Sequence, residues 1–296
     1  MFKRLTVTLT TFAMICATSL LAEPVAVPIA HVTWEPSVDG FGGLSGLEVS
    51  KDGSSFVSVS DDGVLYRGDF VRASDGTLLK ASLIETIPLV VDTGLRPDEK
   101  RERDMEGLAI ADNGAFHVSV ENKFRILSYP DARSTPTFRG LPTFKTKTPK
   151  NTGFEALALT SNGDFIALRE GSPNIRTPYD IYQSNQAGSW DVVYQLPRRG
   201  RFRPVGADFG PDGHLYVLTR AFNGFGFAAQ IYQIRYKKGA PTDHTLVYSG
   251  TFGQFDNLEG LAVWRDDADE IRMVAISDDN FSAAQSTIIV EFRLQD

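Results

Sequence analysis

The sequence predicts an all-β chain closed into a single β-propeller of five blades, with six as the alternative count. Three observations carry that expectation. One phrase recurs five times along the chain, four of the five copies contain an Asp-Gly or Asn-Gly turn, and strand-like runs follow each copy.

The copies are "GLSGLEVSKDGSSFVSVSDDG" (43–63), "DMEGLAIADNGAFHVSVEN" (104–122), "GFEALALTSNGDFIALREG" (153–171), "PVGADFGPDGHLYVLTRAF" (204–222) and "NLEGLAVW" running on to "RMVAISDDN" (257–280). Each is an apolar run, a turn, and a second run rich in β-branched and aromatic residues, which reads as a hairpin. Asp52-Gly53, Asn113-Gly114, Asn162-Gly163 and Asp212-Gly213 supply the positive φ that tight hairpins require. The fifth copy has "RDDADE" instead, and a longer turn is expected there. Further runs such as "VLYRGDFV", "FRILSYP", "YDIYQSN" and "QIYQIRYK" supply the outer strands, giving four per blade. The last copy ends with "TIIVEFRL" and lacks a fourth strand, so "IAHVTWEP" at the N-terminus is expected to complete that blade and close the ring.

Residues 1–22 read as a signal peptide: Lys3 and Arg4 precede a short, Thr-diluted apolar run ending at Ala22. The propeller is then one domain, 23–296, periplasmic or secreted, with no membrane span after cleavage. The chain's one cysteine, Cys16, lies in the leader, so the mature protein has neither a disulfide nor a thiolate metal site. The formal charge of −7 rises in magnitude when the leader's two cations leave, which argues against nucleic acid as a partner.

In a propeller the start of each blade's first strand and the end of its second lie on one face. There the repeats place Ser45, Asp104, Glu106, Asn151, Glu155, Arg203, Asp256, Asn257 and Glu259, with Asp61, Asp62, Glu121, Asn122, Arg169, Glu170, Arg220, Asp278, Asp279 and Asn280 opposite them. Between these ends the inner strands read as apolar. A carboxylate at a strand end often only accepts backbone N–H bonds, and Gly-Leu-Ala after it suits close strand packing. So many acids at one mouth nevertheless repel one another unless a cation sits among them. Ca²⁺ or Mg²⁺ suits the oxygen donors, and the arginines suit an anionic substrate. "GGLSGL" misses the Gly-x-Ser-x-Gly elbow by one position, and the four histidines fall at unrelated repeat positions.

The segments "FGGLSGLEVSKDG", "RDMEGLAI", "NTGFEALAL", "DNLEGLAVW" and "ISDDNFSAAQSTIIVEF" resemble the bacterial phytase-like family, also described as esterase-like activity of phytase. The resemblance covers nearly all of the chain after the leader and implies an exported propeller with phosphoesterase or esterase activity. It points to Arg103, Asp104, Glu106, Asn151, Glu155, Asp256, Asn257, Glu259, Asp278, Asp279, Asn280 and Gln285. The combined expectation is a monomeric, metal-dependent hydrolase of phosphate or other esters. Glu106, Glu155 and Glu259 would be catalytic, Arg103, Arg169, Arg203 and Arg220 would bind a small anionic or ester substrate, and Asp104, Asp256, Asn257, Asp278, Asp279 and Asn280 would hold a divalent cation, Ca²⁺ first. A non-catalytic binding propeller and a gluconolactonase-type lactonase are the alternatives.

Overall fold

The computed structural model describes residues 23–91, 103–121, 124–142, 153–171, 174–185 and 187–295. Among the described residues twenty strands form five four-stranded antiparallel sheets, and no helix is long and apolar enough to cross a membrane. The signal peptide expected at residues 1–22, Asn151 and Asn122 lie outside the described residues.

Blade 1 is β2 (Leu44–Val49), β3 (Ser55–Ser60), β4 (Val64–Arg72) and β5 (Leu78–Pro88). Blade 2 is β6 (Met105–Ile110), β7 (Phe116–Val120), β8 (Arg125–Tyr129) and β9 (Thr137–Gly140). Blade 3 is β10 (Phe154–Leu159), β11 (Phe165–Arg169), β12 (Tyr179–Ser184) and β13 (Trp190–Leu196). Blade 4 is β14 (Arg203–Phe209), β15 (Leu215–Phe222), β16 (Phe227–Lys237) and β17 (Ala240–Ser249). Blade 5 is β18 (Leu258–Arg265), β19 (Ile271–Ser277) and β20 (Ile288–Gln295), completed by the N-terminal β1 (Val25–Thr33), which pairs antiparallel with β20 from Val25↔Gln295 to Thr33↔Ile288. The ring is therefore closed by pairing the two ends of the propeller, with β1 as the outer edge strand of the fifth sheet.

The inner strands β2, β6, β10, β14 and β18 are neighbours in that cyclic order. The core is divided among the blade interfaces. Leu47, Phe56 and Tyr66 of blade 1 pack with Ala262, Trp264 and Ile276 of blade 5, and similar clusters fill the other four junctions. Alternation along each strand therefore sends apolar side chains to both neighbouring blades.

The fifth hairpin turn differs from expectation. It is not longer: residues 266–270 link β18 to β19, the same length as 50–54 in blade 1. Asp269 takes φ 65°, and its N–H bonds Asp266 O at 3.0 Å, just as Gly53 (φ 66°) bonds Ser50 O at 2.8 Å. Aspartate tolerates the left-handed region well enough to stand in for glycine here. Gly53 itself has less freedom, because a Cβ there would run into the Trp264 ring.

Candidate functional site

All five inner strands lose register at the same place. The shift falls between Leu44 and Gly46, Met105 and Leu108, Phe154 and Ala156, Pro204 and Gly206, and Leu258 and Gly260. These are β-bulges, which re-aim a side chain and recur beside functional sites. The residues inside them are Ser45, Glu106, Glu155, Val205 and Glu259. Glycine follows in four blades because neighbouring inner strands approach closely: a Cβ on Gly107 would lie 2.7 Å from Glu155 O, and one on Gly46 would lie 2.8 Å from Glu106 O.

The bulges bring three glutamates of different blades together. Glu106, Glu155 and Glu259 each present a carboxylate oxygen, and the three oxygens lie within 4.8 Å of one another. Asp104, Glu106 and Glu121 form a second such group, with Glu106 shared. All three bulge glutamates are buried, at 9, 7 and 5% exposure. The carboxylates of Glu106 and Glu155 make no hydrogen bond among the described residues. Burial, followed by repulsion from Glu155, Glu259, Asp104 and Glu121, raises the Glu106 pKa well above the usual carboxylate range. Burial and the charges of Glu170, Glu259 and Glu121 do the same to Glu155, against the pull of Arg220. Glu121 is pushed up to about 7 and Asp278 to about 8, in both cases chiefly by burial.

Arg220, near the end of β15, is the cation that enters this cluster. Its Nη1 lies 2.7 Å from Glu259 Oε1 and also donates to Asn257 Oδ1. Burial alone would weaken its charge, but Glu259, Glu155, Glu170 and Asp278 overcome that and raise its pKa. Asn257, fully buried, donates to Glu259 Oε1 (2.8 Å) and Asp278 Oδ2 (3.4 Å). Its oxygen is taken by Arg220, so here it orients the acids.

Other expected ligands lie apart from the cluster or serve the loops. Asp256 accepts from the N–H groups of Asn257 (2.9 Å) and Ser286 (2.9 Å) and from Gln285 Nε2 (3.1 Å). Asp279 accepts from Gly43 N and Phe281 N, each at 3.0 Å, and Asn280 donates to Gln285 Oε1 at 3.2 Å. These three fix the loop after β19, and Asp279 ties it to the start of blade 1. Asp278 Oδ1 accepts Asn280 N at 2.6 Å, leaving it between loop and cluster. Arg169 is buried and stacks on Phe124 at 5.8 Å, while Arg103 lies beside Gly63.

Next to the cluster a cavity of about 470 Å³ is lined by Glu170, Arg198, Arg201, Arg203, Arg220 and the Phe222–Phe227 hairpin end. Arg203 Nη1 lies 3.3 Å from Glu170 Oε2, and Arg220 Nη2 3.6 Å from Glu170 Oε1. Arg198 sits over the Tyr179 ring at 5.3 Å, and Arg201 makes no ion pair among the described residues. Arg198 and Arg201 were not among the sequence candidates. The density of arginine in "RRGRFR" (198–203), between β13 and β14, was the available signal.

The donor set fits a hard divalent cation. Calcium oxygens sit about 2.3–2.6 Å from the ion, so any two ligands are at most about 5 Å apart, a limit the Glu106–Glu155–Glu259 oxygens meet.

Among solved structures the chain is similar to the PQQ-bound aldose sugar dehydrogenase of Streptomyces coelicolor, with 14% identity and a TM-score of 0.51 over 93% of this chain and 99% of that one. It also aligns with virginiamycin B lyase of Staphylococcus aureus (15%, TM-score 0.41, 91% of this chain and 74% of that one) and with a luciferin-regenerating enzyme (12%, 0.44, 93% and 96%). At these identities the first likeness shows a shared fold alone, and no curated protein matches the chain. The family described as phytase-like, esterase-like activity of phytase, matches residues 39–281, and the chain with its five bulged inner strands belongs to that family.

Proposed function

We propose that this protein is a divalent-cation-dependent hydrolase of anionic esters, phosphate esters foremost. One observation carries the reading: the arginine-lined cavity and the buried carboxylate cluster meet at Arg220, which lines the former and pairs with Glu259 of the latter. An anion seated in that cavity has its ester bond at the edge of the cluster.

Arg203 and Arg220 bind the non-bridging oxygens, since guanidinium groups meet such oxygens by paired hydrogen bonds. Arg201 and Arg198 complete the rim, and Phe222 and Phe227 provide an apolar wall for the alcohol part of the ester. Glu106, Glu155 and Glu259 would hold the cation, with Asp104 and Glu121 adjoining through Glu106. When bound, the cation supplies a lowered pKa for water and polarisation of the ester oxygen. A free carboxylate oxygen of Glu155 takes the proton of the attacking water. The water oxygen bonds to the ester's phosphorus as the bond from phosphorus to the leaving oxygen breaks, and the proton taken up by Glu155 passes to that oxygen, giving the alcohol and phosphate. Asn257 keeps Glu259 aligned throughout. The signal-like run at residues 1–22 supports work in a periplasmic or extracellular compartment, where millimolar calcium suits low-affinity sites.

The test is elemental analysis of the purified protein followed by turnover of 4-nitrophenyl phosphate, 4-nitrophenyl acetate and a γ-lactone with and without chelator. Chelator-sensitive phosphoester hydrolysis supports the proposal. Rapid lactone opening without phosphoester cleavage makes the protein a lactonase. A protein that binds a cation and turns over none of the three is a binding propeller.

A further inference from the structure

The opposite mouth of the channel holds a second cavity, of about 730 Å³, within the range of small-molecule sites. Its walls include Val49, Ile110, Leu159, Phe209 and Val263, one from each inner strand at the equivalent repeat position. Two carboxylates enter this apolar ring, Glu48 from β2 and Asp208 from β14. These strands are not adjacent in the ring; β18 separates them, so the acids approach from different sides of the mouth.

The repeat shows that the fold does not need acids here. The position three residues beyond the bulge is Glu48, Ala109, Ala158, Asp208 and Ala262, and the cross-strand pairs Glu48↔Val57, Ala109↔His117, Ala158↔Ile166, Asp208↔Tyr216 and Ala262↔Val274 confirm the equivalence. Alanine is sufficient in three blades. Each acid gives one oxygen to the next blade, Glu48 Oε1 to Ile110 N at 3.2 Å and Asp208 Oδ2 to Val263 N at 2.7 Å. Glu48 makes no other hydrogen bond among the described residues, and Asp208 has one more, from the N–H of its chain neighbour Phe209, so both carboxylates keep acceptor capacity. The rim cations are already matched, Lys51 with Asp112 at 2.7 Å and Arg265 with Asp269 at 2.9 Å. Trp264, another wall residue and only 6% exposed, has an indole N–H with no hydrogen-bond partner.

We propose that this lower mouth binds a small organic ammonium ion whose apolar body fills the ring of five side chains while its charged nitrogen bonds the carboxylates of Glu48 and Asp208. A hard metal ion does not suit the same place, because it needs six to eight oxygen ligands and the walls beyond the two acids are largely hydrocarbon. An ammonium ion needs only a few acceptors, and its carbon skeleton gains from leaving water. Burial and mutual repulsion raise the Glu48 pKa, and burial raises that of Asp208, strain that a bound cation relieves.

The experiment is calorimetric titration of the full chain with phenethylammonium chloride, with phenethyl alcohol as the uncharged probe. Saturable binding of the ammonium, weakened at least about tenfold in Glu48→Ala/Asp208→Ala and unchanged in Glu106→Ala, is expected. The alcohol should bind far more weakly. Addition of the ammonium to the parent protein should also shift the amide resonances of Ile110 and Val263, a readout that does not depend on a variant folding. No saturable binding, equal binding of the alcohol, undiminished affinity in a folded double variant, or displacement by Ca²⁺ would each overturn the proposal. Because Glu106→Ala lies at the other mouth, loss of the hydrolase reading leaves this result intact.

Discussion

The two mouths of the channel are built from the same five strands and differ by where each strand places its acid. Every inner strand carries one carboxylate. Blades 2, 3 and 5 hold it in the bulge, as Glu106, Glu155 and Glu259, followed three residues later by alanine. Blades 1 and 4 reverse the choice, with Ser45 and Val205 in the bulge and Glu48 and Asp208 three residues on. The upper mouth thereby gains three converging acids and the arginine cavity, and the lower gains two acids in hydrocarbon. A repeat thus fixes geometry while single substitutions within it divide chemistry between two ends.

The largest effect is expected where the seam underlies the lower mouth. Arg72 Nη1 contacts both Glu291 oxygens at 2.7 and 2.8 Å, and its guanidinium lies 4.8 Å from the centre of the Trp264 ring. Glu291 is fully buried. Arg72→Ala leaves that carboxylate without its partner and should cost about 3–5 kcal/mol in urea unfolding. A smaller loss would mean that the first and last blades are joined by packing alone. Next in size, Glu106→Gln and Glu259→Gln should each remove cation binding and lower phosphoester turnover about a hundredfold, whereas Glu48→Ala/Asp208→Ala should leave turnover as it was. Equal losses at both ends would erase the distinction between them. Arg203→Ala should raise KM for an anionic ester about tenfold with kcat little changed, the mark of lost uniform binding. A fall in kcat of the same size would move Arg203 into the reacting region.

The smallest effect is a pH slope. The Asp208 carboxyl has its pKa raised from 3.8 to about 7, mainly by burial. Between those values the folded chain keeps a proton that the unfolded chain has released. Stability should therefore fall as pH rises through that window, and above it the loss is complete. Glu48, raised in the same sense, adds to it. Relative to the parent, Glu48→Ala/Asp208→Ala should gain a few degrees in Tm at pH 8 over its standing at pH 4, by differential scanning calorimetry. Identical slopes in parent and variant would show that the lower acids are not strained.

Much of this architecture is legible in the repeat. The Gly and Asn-Gly turns, the alternating β-branched runs and the missing fourth strand of the last copy point to five blades and a closing N-terminal strand, because each is a local property of the chain, and the closed ring decides five over six. The fifth turn reads as longer in the sequence, since Asp269 in a left-handed conformation looks like any other acid in "RDDADE". At the site, Glu106, Glu155 and Glu259 stand out by repetition, but so did Asp256 and Asp279, which are occupied with loop amides. Glu48 and Asp208 passed unnoticed within strands that otherwise read as apolar.

By itself the sequence determined which elements form and in what cyclic order, because turn chemistry and period-two patterning act over a few residues. Only the tertiary structure decided which acids meet. A bulge is invisible until two strands are paired, and convergence of Glu106, Glu155 and Glu259 depends on closing a ring whose members are some fifty to one hundred and fifty residues apart. Charge that is merely repeated along the chain becomes a site only where that closure excludes water and leaves the carboxylates to face one another.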